Sequence, residues 1–233
     1  MRKGIALLLA LALCLGLSAA FAEQTITVTG SGEILVTADT AVISVGITVR
    51  DKDALKAQSD ANAVIAKIRE ALTSAGFSGE DIATGYISLY AVYDYSGDVE
   101  AITGYSASST LSIRVTDMSR VGEAIDLAFG AGANTLNGVS FSVSDDSAAR
   151  AEALKAAVAD AKAKAAVLAE AAGFGGLEIV SVQEGSVTSY DSGSNSFART
   201  KGAGEGAGMD SPTVVSAAKI VVSANVTITF SAE

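Results

Sequence analysis

Histidine and tryptophan are absent from this 233-residue chain, and it has one cysteine and one proline. Without histidine there is no Ser-His-Asp triad and no zinc site of the Cys/His type. A single cysteine, Cys14, cannot close an intrachain disulfide. Positive charge is scarce too: 16 Lys and Arg stand against 26 Asp and Glu, for a formal net charge of −10. An acidic chain repels nucleic acid and anionic lipid, so neither is expected as a partner.

What is present begins with a secretory pattern. Met1-Arg2-Lys3 precedes an almost purely Leu/Ala run from Ile5 to Leu17, and Ser18-Ala19-Ala20-Phe21-Ala22 follows with small residues at Ala20 and Ala22. Residues 1–22 are predicted to be a signal peptide cut after Ala22. The apolar run falls short of the roughly 20 residues a membrane span needs, and no later segment is long enough, so no integral span is expected after cleavage. Cleavage removes Arg2, Lys3 and Cys14, so the 16 basic residues become 14 against the same 26 acidic ones. Residues 23–233 are read as one domain working outside the cytoplasm, either periplasmic or secreted.

Periodicity divides this domain into strands and helices. Ala41, Ile43, Val45, Ile47 and Val49 alternate with small or polar residues over Thr40 to Arg50, as a half-buried strand does. Ile26 to Thr29 forms an earlier strand that Gly30-Ser31-Gly32 can break or bulge. Further strands are predicted at Ile82 to Tyr95, Ser106 to Val115, Val139 to Val143, Leu177 to Val182 and Ile220 to Phe230. Three helices are interleaved. The first is capped by Asp51 or Asp53 and carries Ala61, Ile65, Ile68 and Leu72 before Gly76. The second begins near Asp117 and the third runs from Asp145-Asp146 to about Ala172. The third presents Leu154, Val158, Ala161, Ala165 and Leu168 as a narrow stripe. The expected fold is therefore α+β, with about seven mostly antiparallel strands and three helices covering one face. Residues 186–209, rich in Gly, Ser and Ala, read as a flexible loop joining two paired strands.

No motif supplies chemistry. The run Gly202 to Gly208 has Ala207 where a dinucleotide fingerprint needs its third glycine, and no Lys-Ser/Thr follows. Asp94, Asp98 and Glu100 lack calcium-loop spacing and read as a solvated hairpin tip. Asp145-Asp146 reads as a helix cap rather than a metal pair. G-x-S-x-G, S-x-x-K and H-E-x-x-H are all missing. No catalytic, cofactor or metal residue is assigned, and the chain is expected not to be an enzyme. Five of its six tyrosines, Tyr86, Tyr90, Tyr93, Tyr95 and Tyr105, fall within twenty residues. Tyrosine buries area while keeping a polar tip, so this hairpin is a candidate oligomer interface.

Several blocks together resemble the SIMPL-domain family, whose bacterial members include YggE-like periplasmic proteins. They are Ile26-Thr27-Val28-Thr29-Gly30-Ser31-Gly32-Glu33, then Gly104-Tyr105-Ser106-Ala107-Ser108-Ser109-Thr110-Leu111-Ser112-Ile113-Arg114-Val115 with Asp117, then Gly138-Val139-Ser140-Phe141, and Ala156 to Lys162 in the Ala-rich helix. The resemblance runs from Ile26 to about Phe230. It implies an α+β fold, ring- or channel-like homo-oligomers in some members, and an association of bacterial members with oxidative-stress tolerance. A mammalian relative is associated with binding a signalling kinase, and the family has no established catalytic set. The leading expectation is a self-assembling, non-enzymatic envelope scaffold, linked indirectly to stress tolerance and open to an envelope protein or ligand as partner. The alternative is a monomeric module that binds a small envelope ligand under the 186–209 loop.

Overall fold

The computed structural model describes residues 24–95, 101–191, 212–216 and 219–233. The predicted signal peptide, Asp98, Glu100 and the run Gly202 to Gly208 lie outside these residues. Among the described residues there are seven antiparallel strands and three helices, an α+β arrangement in two sheets. In chain order the elements are β1 (Thr25–Thr37), β2 (Thr40–Asp51), α1 (Ala54–Ser74), β3 (Ile82–Asp94), β4 (Ala101–Val115), α2 (Val121–Gly130), β5 (Thr135–Ser142), α3 (Ser147–Ala172), β6 (Leu177–Asp191) and β7 (Lys219–Ala232). One sheet has the order β1-β7-β6 and the other β3-β4-β2-β5. The described residues fall into two compact units.

The larger unit holds residues 33–153 and 187–223 and contains the four-stranded sheet. The odd positions of β2 pair with odd positions of β4, Ile43 with Ile113 and Val45 with Leu111. Opposite residues in an antiparallel ladder share a face, so this register builds one apolar layer. Ile68 and Leu72 of α1 and Val121, Ala124, Ile125 and Ala128 of α2 complete a fully or nearly fully buried core with it. Each such Ile or Leu side chain contributes about 1.5–3 kcal/mol by leaving water. Asp53 caps α1 by accepting from the Lys56 N–H at 2.8 Å. Asp117 caps only a short 3₁₀ turn, Met118–Arg120, so α2 starts a few residues later than its sequence suggests. At the turn between β1 and β2, Asp39 accepts from the Ser144 N–H at 2.8 Å, from the Ser144 hydroxyl at 2.7 Å and from the Thr40 hydroxyl at 2.9 Å. These bonds, the Ser144 hydroxyl first, hold its carboxyl below the usual aspartate range.

Among the described residues, the smaller unit holds 24–32 with 154–186 and 224–233. Here two expectations are corrected. Of the predicted stripe of α3, Ala161 and Ala165 are buried as expected, together with Ala157 and Ala169, whereas Leu154 and Val158 are only half-buried and Leu168 is exposed. Gly30 does not break β1, which runs on to Thr37. Both outcomes have one cause: a Cβ on Gly30 would lie 2.0 Å from the Ala157 carbonyl oxygen and 2.6 Å from the Ala161 nitrogen. Helix and strand meet at backbone distance, and only small residues fit between them. Asp160 fixes the contact by accepting from the Ser31 N–H at 2.8 Å, while Lys164 donates to the Thr29 carbonyl at 3.1 Å.

A third difference concerns β6. It continues to Asp191, so residues 186–191 of the expected loop are strand, carried by alternating Ser, Val, Thr and Tyr that suit a pleated surface. β7 is the neighbour of β6 in the sheet.

Candidate functional site

The β3–β4 hairpin of the larger unit carries the tyrosines singled out from the sequence. Ile, Tyr, Val and Thr favour extended backbone, and Ile82 to Tyr93 contains no charged residue at all. β3 pairs antiparallel with β4: Ile87 with Ser109, Leu89 with Ala107, Tyr90 with Ser106 and Ala91 with Tyr105. The ladder is interrupted twice, between Thr84 and Ile87 and between Val92 and Tyr93. At the first bulge, the Thr110 hydroxyl accepts from the Tyr86 N–H at 2.7 Å and donates back to its carbonyl. Gly85 is required there, because a Cβ would stand 2.8 Å from the Thr110 Oγ1. Near the second, the Thr103 hydroxyl donates to the Val92 carbonyl at 3.1 Å.

Four of the five tyrosines are exposed. Tyr95 shows 73% of its surface and Tyr86 63%, and Tyr90 and Tyr93 are each around half exposed. The Tyr93 and Tyr95 rings lie 6.1 Å apart and tilted, as aromatic pairs prefer. Tyr105 is half-buried between its ladder partners Ala91 and Asp51. The structure adds three residues that sequence reasoning did not single out: Ile87, Leu89 and Ile102 are exposed as well. By register, Ile87, Leu89 and Ala91 share one face of β3, and Ser88, Tyr90 and Val92 share the other. Both faces of this edge strand are thus largely apolar and open. The signal that could have found them is the uncharged stretch itself, since alternation alone would have sent one of its faces inward.

At the base of the hairpin lies an open cavity of about 320 Å³ lined by Arg50, Asp51, Lys52, Val92, Thr103, Gly104 and Tyr105. Asp51 accepts from the Asp53 N–H at 2.9 Å and lies 3.3 Å from the Lys56 Nζ. The backbone bond first, then the lysine, keep its carboxyl below the ordinary range. A second open cavity of about 670 Å³ borders α2 and residues 212–213. Its two carboxylates are both engaged. Glu123 accepts from the Arg120 guanidinium at 2.8 Å, and Asp126 accepts from the Thr213 N–H at 3.0 Å and its hydroxyl at 2.5 Å.

Elsewhere in the larger unit, Asp145 accepts from the Ser147 N–H at the start of α3, the capping role expected of it. Asp146 instead holds the Arg150 guanidinium at 2.6 Å and accepts from the Ser189 hydroxyl. Among the described residues no three His, Cys, Asp or Glu side chains gather as a metal site would require, and no helix is long and apolar enough to cross a membrane. The arrangement with most to offer a partner is the hairpin: β3 is an outer strand with largely apolar faces and no charge from Ile82 to Tyr93.

Comparison with known proteins adds a family. Residues 26–230 match the SIMPL family, described as a protein of unknown function (DUF541). The chain is similar to the 26 kDa periplasmic immunogenic protein of Brucella melitensis, with 34% identity over 164 residues, 68% of this chain and 66% of that protein. It therefore spans just under two thirds of that relative's length. It is also similar to the uncharacterized protein YggE of Escherichia coli K12, with 26% identity over 168 residues, 69% of this chain and 68% of the relative.

Proposed function

The chain belongs to the SIMPL family and works outside the cytoplasm, and on that footing we propose that it is a non-enzymatic protein that assembles with copies of itself into an envelope scaffold. The observation that carries this reading is the β3–β4 hairpin, which leaves Tyr86, Ile87, Leu89, Tyr90, Tyr93, Tyr95 and Ile102 open to solvent. Exposed apolar residues gathered on one hairpin, rather than scattered singly, mark an interaction surface. Tyrosine supplies contact area there at low cost in side-chain entropy.

On this reading the link to oxidative stress is indirect. Residues 23–233 contain no Cys and no His, and Met118 and Met209 are their only sulfur. Such a chain has little to spend on oxidant, so protection comes from what the scaffold holds in place.

The test is the double substitution Tyr90→Ser and Tyr93→Ser in the chain from residue 23. Both residues are about half exposed, so the thermal midpoint is expected to stay within about 4 °C, while the mass by light scattering drops toward the monomer. An unchanged mass would remove the hairpin from the assembly.

A further inference from the structure

The edge of β3 is where two copies meet: we propose that β3 of one copy pairs antiparallel with β3 of another about a two-fold axis, joining two four-stranded sheets into one. This rests on the self-assembly reading above and names the mode of contact.

β3 is the outer strand of the sheet order β3-β4-β2-β5. An outer strand presents unpaired N–H and C=O groups along one side, and natural proteins guard such edges with charge, proline, shortness or bulges. Among the described residues the other sheet edges carry charge within the strand or are short, whereas β3 is bulged and has only the terminal Asp94. β6 holds Glu178, Glu184 and Asp191, β1 holds Glu33, and β5 spans only eight residues with its register shifted opposite Ser44 and Val45. β3 has no charge from Ile82 to Tyr93 and no proline. Its two bulges flank the run Ile87 to Val92, which keeps regular register with β4. Six residues of regular strand give an edge about 20 Å long.

The choice of a second copy follows from charge and symmetry. Residues 23–233 have 14 basic against 26 acidic residues, so contact between copies is least opposed where no carboxylates are brought close together. β3 against β3 meets that condition. A two-fold axis normal to the sheet keeps each face on its own side, so opposed residues must come from the same face. The axis must then pass through a residue and not between two. Through Leu89 it opposes Ser88 to Tyr90 and Ile87 to Ala91. Through Tyr90 it opposes Leu89 to Ala91 and Ser88 to Val92. Every opposed pair within the run is uncharged in both registers.

The experiment uses single cysteines. Cys14 is the chain's only native one, so the chain from residue 23 carries none, and each introduced cysteine is unique. Ser88→Cys, Leu89→Cys, Tyr90→Cys and Ala91→Cys are oxidised mildly, with Leu55→Cys on α1, 81% exposed, as the collisional control. Two-fold pairing predicts one sharp maximum of disulfide-linked dimer, at Leu89 or Tyr90, well above the control. A companion variant, Leu89→Lys, sets like charges close together across the axis and is expected to raise the concentration needed for assembly about tenfold with the thermal midpoint of the monomer kept. If the chain assembles by light scattering yet no β3 position exceeds the Leu55 control, the pairing mode is overturned and the self-assembly reading stands. If the chain is monomeric throughout, both fall, and the open edge is left to an extended segment of a different protein.

Discussion

Asp39 gathers three hydrogen bonds on one carboxylate at the β1–β2 turn, two of them from Ser144. Its folded pKa is depressed, so its contribution is fully present above the unfolded value and is lost as pH falls through the folded one. Asp51, Asp117, Asp145, Asp146 and Asp160 are shifted in the same direction by local donors. Stability should therefore fall off below about pH 4. Asp39→Asn should lower the midpoint of chemical unfolding at neutral pH while flattening part of that acid limb. A variant that keeps the wild-type acid dependence would show that Asp39 carries none of it. The sequence offers an Asp-Thr pair at residues 39–40 and nothing more, because the donor that matters lies 105 residues away. Residue-scale electrostatics of this kind become legible only when the register of β2 with β5 is known.

Between elements, the backbone contact of β1 with α3 inside the smaller unit sets the tightest constraint. Gly30→Ala places a Cβ inside van der Waals distance of two backbone groups of the helix and is expected to cost about 1–3 kcal/mol. Gly79→Ala is the matched control, with open space around the added carbon, and should change stability little. Equal effects of the two would contradict the close approach. Elements were the most legible level of this fold. The period-two runs of β2, β4 and β7 and the helical spacing of Ile68 and Leu72 gave their elements and their inward faces correctly, because local backbone geometry and burial point the same way there. The sequence misled where packing overrode size. In α3 the predicted stripe was right at Ala161 and Ala165 and wrong at the larger Leu154, Val158 and Leu168, because a glycine on the facing strand makes alanine the residue that fits. In β3, Ile87 and Leu89 alternate as buried positions would, yet they are exposed. Periodicity reports which residues share a face and does not say whether anything covers it.

For the molecule as a whole, the charge balance and the hairpin act in opposition. The excess of acidic residues keeps copies apart at long range, while on the self-assembly reading an uncharged apolar edge draws them together at contact. Salt screens the first and leaves the second, so assembly should strengthen as ionic strength rises from about 0.05 to 0.5 M. The α+β class and the tyrosine hairpin could be read from the sequence, whereas the division of seven strands into a three-stranded and a four-stranded sheet could not, since strand order depends on pairing between distant segments. The most direct test of the account is the mass of the chain from residue 23 by light scattering on a sizing column, at low and at high salt. Self-assembly predicts one discrete species at a whole multiple of the monomer mass, held or enlarged by salt. A clean monomer at both ionic strengths would contradict it.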